Sequence, residues 1–276
     1  MQRQKTLKSS VEISGKGLHS GKDVQMSIKP GEENSGIIFV RTDLPERPKI
    51  RATANNVTAT LRATTLEESG VKVFTVEHLM SALNVCGIDN CEIELNAEEP
   101  PVLNGNSEDF FCAIKSAGAV EQQAERKIIR VEKIYRVDSE SDNRFILALP
   151  YDGFRISFTS VNPHPVIGIQ YRDFEITEEI YRKEIAPART IAYEKEIQAL
   201  YDMGMGLGGN EKNVIIYNDA GWLNKLNYPD ELVRHKILDV IGDLRLVGFL
   251  KCHIIAAASG HALNTQLAKK IYADFN

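Results

Sequence analysis

The chain has little of what marks several large classes of protein. Cysteine is scarce: Cys86, Cys91, Cys112 and Cys252 are the four in 276 residues, and no two of them form a C-x-x-C pair. That spacing excludes a zinc ribbon or a thioredoxin-like motif, and in a reducing compartment the four are expected to be small buried hydrophobes. No run approaches the roughly 20 apolar residues that cross a bilayer. The opening stretch "MQRQKTLKSSVEISGKG" also lacks the apolar centre of a signal peptide. A cytoplasmic chain without stable membrane insertion is therefore expected. Positive charge is in deficit, with 33 Lys and Arg against 38 Asp and Glu and a net charge of −5. Nucleic acid is excluded as an expected partner, and an anionic ligand would have to be held by a few local cations.

What is present is enough apolar content, 43% of 276 residues, for more than one core. Strand-like runs such as "DVQMSIKP" and "GIIFVR" come first. "TVEHLMSALNVCG" follows as a helix, with Thr75 as N-cap and Gly87 as its stop. After it come the strand "CEIEL" and the helix "SEDFFCAIKSAG". The polar segment 117–127, "AGAVEQQAERK", reads as a boundary between domains 1–122 and 123–276. The second half then repeats the order: a helix, the strand "CHIIAAAS", and the helix "ALNTQLAKKIYADF". Residues 75–118 and 231–274 match element for element, which predicts two similar α+β domains packed together with the functional site between them.

Each repeat's first helix carries polar residues that a core does not need. In "ELVRHKILDVIGDLRLVGFL", residues 231–250, His235, Asp239 and Asp243 fall within roughly 80° of arc at about 100° per residue. Val233, Ile237, Val240, Ile241 and Leu244 gather on the other side. In the first repeat, Val76, Leu79, Met80 and Leu83 make the apolar stripe, and Glu77 and His78 lie off it. Either pattern alone is most simply a solvated face. If the two faces meet, however, His78, His235 and Asp239 supply three ligands for a metal with a fourth position open, and Glu77 stands beside it.

Further motifs occur in the same order along the whole chain: "GKGLHSG", "TVEHL", "GIDN", "ARTIAY", "GLGGN", "VRHKILDVIGDL" and "SGHALN". Together they resemble the UDP-3-O-acyl-N-acetylglucosamine deacetylases of lipid A synthesis in Gram-negative bacteria. The resemblance implies two β-α-α-β sandwich domains with a metal between them, and a β-α-β insert around 185–217. It implies His78, His235 and Asp239 as zinc ligands, Glu77 as general base, His261 as general acid and Thr190 as oxyanion donor. Asp243 would orient His261, and Lys236 would touch the substrate. Leu18 and His19 would lie near the sugar and acyl positions. Ile191, Ile197, Leu200, Met205 and Gly209 would line an apolar passage for the acyl chain. Zinc is the expected metal, although two imidazoles and one carboxylate also suit iron(II). The expected partner is an acylated UDP-sugar, and the enzyme is expected to be a monomer.

The residue types suit amide hydrolysis, in which both the electrophile and the leaving amine need help. A metal lowers the pKa of water from about 15.7 to about 7, and a carboxylate such as Glu77 can take the proton during attack. A hydroxyl such as that of Thr190 can stabilise the oxyanion, and a cationic imidazole such as that of His261 can protonate the amine. The run "GMGLGG", residues 204–209, has the spacing of a dinucleotide fingerprint in the wrong context, with a helix-like segment before it and "NVIIYND" after it. Two departures from the family pattern stand out. Ile191-Ala192-Tyr193 replaces an aromatic, a glycine and an aromatic or cysteine, and Asn104-Gly105-Asn106 replaces Asp-Gly-Ser. Two other readings fit the motifs: a metallohydrolase of this architecture acting on another amide, and a nucleotide-sugar binding protein without catalysis.

Overall fold

The alternation in "CEIEL" is realised as strand Cys91–Leu95, which buries Cys91, Ile93 and Leu95 and turns Glu92 and Glu94 outward. Strand Phe249–Ala257 alternates in the same way. In the computed structural model, which describes residues 2–140 and 142–275, each is the central strand of a sheet. The first sheet runs Val11–Lys16, Asp23–Pro30, Cys91–Leu95, Ile37–Arg41, Lys49–Arg51. The second runs Tyr135–Asp138, Phe145–Leu149, Phe249–Ala257, Phe154–Val161, Ile169–Glu175. In both sheets the central strand is antiparallel to the second strand and parallel to the fourth. The architecture is α+β, and the repeat expected from residues 75–118 and 231–274 extends to this five-strand order, to which the second sheet adds Ile128–Arg130, parallel to the start of Phe249–Ala257.

Each central strand is flanked in the chain by two helices, Glu77–Val85 and Glu108–Ala117 in the first half, Glu231–Arg245 and His261–Phe275 in the second. Helices Glu77–Val85 and Glu231–Arg245 pack on one another. Leu79, Met80 and Leu83 are fully buried from one side, and Val233, Ile237, Val240 and Ile241 from the other. At about 1.5–3 kcal/mol per buried aliphatic side chain, this core is what holds the two polar turns together.

Four local expectations change. Thr75 does not cap the first helix: its φ is +55°, rare for a β-branched residue, and its hydroxyl donates to Glu99 Oε2 at 3.2 Å instead. Residues 119–125 are not a bare linker but strand Ala119–Glu125, antiparallel to Arg3–Leu7. Cys112 is exposed, Cys86 half-buried, and only Cys91 and Cys252 are buried. Finally, the long helix ends at Arg245 and is buried on both faces, so His235, Asp239 and Asp243 face protein rather than bulk solvent. The predicted stop of the first helix does operate. Gly87 takes φ +69°, and the N–H groups of Gly87 and Ile88 close onto Asn84 and Leu83.

Strand Thr190–Tyr193, helix Glu194–Asp202 and strand Val214–Asn218 form a β-α-β unit with its strands parallel. The glycine run lies between that helix and the second strand, so no helix N-terminus follows it. No helix among the described residues is long and apolar enough to cross a membrane.

Candidate metal centre and active site

The site is built where the two central helices approach most closely. A Cβ on Gly242 would lie 2.0 Å from the Glu77 carbonyl oxygen, so glycine alone allows the second helix to press against the first turn of its partner. That turn carries Glu77 and His78, and the facing helix carries His235 and Asp239 one turn apart. His235 Nε2 is 3.4 Å and His78 Nε2 3.9 Å from Asp239 Oδ1, and the two imidazoles meet edge to face with centroids 5.0 Å apart. All three side chains are buried, and their ligating atoms lie within 4.8 Å of one another.

The donor set fits a divalent metal. His235 Nδ1 lies 3.0 Å from the Ala188 carbonyl, which only accepts, so Nδ1 carries the proton and Nε2 presents a lone pair. Burial pushes the His78 pKa down to about 3, with His235 adding to the effect, and burial lowers that of His235 as well. Both rings are thus neutral ligands at neutral pH. Asp239 Oδ2 accepts from Lys236 Nζ at 2.9 Å, whereas Oδ1 is buried without any hydrogen-bond partner. An orphaned buried carboxylate oxygen costs free energy unless a cation occupies the space it faces. It is the clearest feature that fits these residues to an ion.

Two further titratable groups, Glu77 and His261, flank this cluster. Glu77 Oε1 lies 3.8 Å from His261 Nε2, and its Oε2 accepts from the Thr64 backbone N–H at 3.1 Å. Burial raises the Glu77 pKa to about 7 against the opposing pull of His261. For His261, burial works against the charged form, but Asp243, Asp239 and Glu77 outweigh it and lift the pKa to about 10. Its Nδ1 is 3.0 Å from Asp243 Oδ2. Asp243 also accepts from Asn264 Nδ2 at 2.9 Å and from the Thr64 hydroxyl at 2.5 Å. The arrangement therefore offers a carboxylate poised near neutrality beside a cationic imidazole.

Buried ion pairing fixes the neighbouring loop. Arg189 binds Glu231 through Nε at 2.9 Å, through Nη2 at 3.2 Å and through its backbone N–H at 3.0 Å. This holds Ala188 against His235 and sets Thr190 at the head of its strand, where its N–H donates to Gly105 O at 2.9 Å. Glu99, fully buried, gathers the backbone N–H groups of His19 and Ser20 together with the Thr75 hydroxyl. It thereby ties the "GLHSG" loop to the start of the Glu77 helix.

One cavity opens from this cluster, and a second adjoins the first. The larger, about 810 Å³, is lined by Glu77, His78, His235, Asp239, His261, Thr190 and Lys236 among others. The smaller, about 100 Å³, shares Leu18, Thr190 and Ile191 with it and adds His19, Ile197, Leu200 and Gly209. Met205, expected in the apolar passage, lines neither cavity; its N–H instead closes the end of the preceding helix on Leu200 O at 2.8 Å. Asp243 stands behind His261 rather than on a cavity wall. Sequence reasoning missed Thr64, Glu99, Arg62, Val214 and Ile216. The strand-like apolar run in "NVIIYND" offered a signal for Val214 and Ile216, whereas nothing local marked Thr64 or Glu99.

Two neutral imidazoles and a partnerless carboxylate oxygen, beside a buried carboxylate near neutrality and a cationic imidazole, are the constellation of a metal-dependent hydrolytic enzyme. The chain matches the family model described as UDP-3-O-acyl N-acetylglycosamine deacetylase over residues 4–273. It belongs to that family. It is 42% identical over 280 residues to the UDP-3-O-acyl-N-acetylglucosamine deacetylase of Hahella chejuensis, covering 98% of this chain and 91% of that one. It is 41% identical over 279 residues to the protein of the same description from Marinobacter nauticus, covering 99% and 91%.

Proposed function

We propose that this protein hydrolyses the N-acetyl group of UDP-3-O-(3-hydroxyacyl)-N-acetylglucosamine, releasing acetate and the free amine, the committed step of lipid A biosynthesis. The observation that carries the reading is the partnerless Asp239 Oδ1 facing two neutral imidazoles, with Glu77 and His261 alongside, in a chain of this family.

His78, His235 and Asp239 would hold the metal, zinc in the first instance, with iron(II) the second candidate for the same donors. When bound there, such an ion supplies Lewis acidity to the acetamide carbonyl and to water. Glu77, with its pKa near 7, accepts the proton of the attacking water. The oxyanion that develops on the former carbonyl oxygen faces the Thr190 hydroxyl at the cavity wall. His261, cationic at neutral pH, delivers a proton to the departing amine, and Asp243 keeps its imidazole charged and turned toward the cluster. Lys236 contacts the sugar nucleotide in the larger cavity. The acyl chain enters the smaller cavity between Leu18, His19, Ile191, Ile197, Leu200 and Gly209, where each buried methylene contributes about 0.8 kcal/mol. The reading takes residues 1–122 and 123–276 as two domains with an insert around 185–217, acting as a cytoplasmic monomer.

Acetate release from the acylated UDP-sugar, measured with and without chelator and after zinc is restored, tests the proposal. Zinc-dependent release is expected. Tight binding of the sugar nucleotide without release would favour a non-catalytic binding protein. Release from other amides alone would favour a different hydrolase.

A further inference from the structure

We infer that Thr64 is a positioning residue that holds the proposed base and the proposed acid apart, an inference that rests on the deacetylase reading above. Thr64 is fully buried and directly precedes strand Thr65–Glu68 of a small three-stranded sheet, outside both central helices. Its two polar groups go to two different carboxylates. The backbone N–H donates to Glu77 Oε2 at 3.1 Å, and the hydroxyl donates to Asp243 Oδ1 at 2.5 Å. The direction of the second bond follows from its partner, since an ionised carboxylate only accepts. His261 completes a circuit, with Nδ1 3.0 Å from Asp243 Oδ2 and Nε2 3.8 Å from Glu77 Oε1.

The last separation is the informative one. A carboxylate and an imidazolium at 3.8 Å attract each other, and in a buried site that attraction is weakly screened. If they closed to hydrogen-bonding distance, the base and the acid would neutralise each other and neither would face a substrate. Glu77 is held back by its other oxygen, His261 is held back through Asp243, and both tethers end on Thr64. Asn264 and His261 both bind Oδ2 of Asp243, and the Thr64 hydroxyl is what holds Oδ1. Without that hydroxyl the carboxylate can rotate and carry the imidazole with it.

The test compares Thr64→Val, which keeps the shape and the backbone N–H, with Thr64→Ser, which keeps the hydroxyl. For the valine variant kcat should fall roughly ten- to a hundredfold, the scale of a small misplacement of catalytic groups, with KM and metal content unchanged. The serine variant should recover most of the loss. In an Asp243→Ala background, Thr64→Val should cost nothing further, because the hydroxyl acts through Asp243. An activity-free arm follows the His261 Nδ1 proton by NMR, assigned with His261→Gln: its signal should move in the valine variant and stay in the serine variant. If the wild type releases no acetate, the deacetylase reading falls, and this NMR arm still decides whether Thr64 sets the imidazole. Wild-type kcat in Thr64→Val, or a loss undiminished in the Asp243→Ala background, would overturn the positioning role. Should the valine variant fail to fold, Thr64→Cys, with a weak donor at the same place, carries the same comparison.

Discussion

The Nε2 atom of His235 lies 3.4 Å from Oδ1 of Asp239, one helical turn further on, and that oxygen has no hydrogen-bond partner among the described residues. A cation shared with His78 would resolve both the orphaned oxygen and the crowding of three candidate ligand atoms. Elemental analysis of the purified chain should therefore find about one metal per monomer. His78→Ala, His235→Ala and Asp239→Ala should each lose it while circular dichroism stays native. Full metal content in the two histidine variants would remove the centre from this place.

Removing the proposed base or the proposed acid should leave the metal and take the rate. Glu77→Ala and His261→Ala are expected to slow turnover by roughly a hundredfold or more, in line with loss of a positioned proton-transfer group. Wild-type turnover in either variant would reassign that residue.

The pH profile follows from the same two groups. Glu77 must be deprotonated to act as base, so kcat/KM should rise with pH through its pKa, about 7 in the protein alone and lower once a nearby cation is bound. His261 must be protonated to act as acid, so activity should fall as pH passes upward through its pKa near 10. A bell-shaped kcat/KM profile is expected. An acidic limb that survives unchanged in a Glu77→Gln variant with residual activity would assign that ionisation elsewhere.

Gly242 offers a test of how the helices are joined. Glycine to alanine inside a helix ordinarily stabilises by roughly 0.5–1 kcal/mol. Here the added methyl would lie 2.0 Å from the Glu77 carbonyl, so Gly242→Ala should instead destabilise by about 1–3 kcal/mol and displace Glu77 and His78. A lowered Tm together with reduced metal affinity is the expected pair of results; a raised Tm with full activity would contradict the contact.

The smaller cavity predicts dependence on the acyl chain. A substrate lacking that chain forfeits several kcal/mol of apolar burial, partly offset by ordering costs, so kcat/KM should fall by orders of magnitude. A side chain on Gly209 would start 3.4 Å from Val214 Cγ2 and 3.8 Å from Leu18 Cδ1, two residues of the wall. Gly209→Tyr should therefore keep its metal and lose activity selectively on long chains. Equal processing of acylated and deacylated sugar nucleotides by the wild type would argue against the passage.

Much of the site was legible before any coordinates because its residues sit on helices, where spacing converts directly into direction. His235, Asp239 and Asp243 at four-residue intervals had to share one face, and "TVEHL" placed Glu77 and His78 off an apolar stripe. Met205 lines neither cavity, and no periodicity could have indicated this, because it sits in a turn: its neighbour Gly206 takes φ +72°, and the Met205 N–H closes the preceding helix. The strand Ala119–Glu125 escaped notice for a related reason. It is held mainly by backbone pairing with Arg3–Leu7, and its side chains are largely exposed, so no alternation of apolar residues marked it.

By itself, then, the chain's amino-acid order determined the repeated helix-strand-helix units and the two polar helix faces, since each depends on neighbours within a turn or two; that His78 comes to lie beside His235 and Asp239 depended on the packing of the two helices. Only the tertiary structure decided that Thr64 bridges Glu77 and Asp243, that Glu99 anchors the His19 loop, and that Arg189 and Glu231 lock Ala188 against His235. These contacts join residues tens to nearly two hundred positions apart, and a buried hydrogen bond between such partners leaves no periodic trace in either segment. It exists because packing the two sheets' helices face to face brings most buried polar groups a particular partner, while a few atoms among the described residues, Asp239 Oδ1 among them, are left without a hydrogen bond.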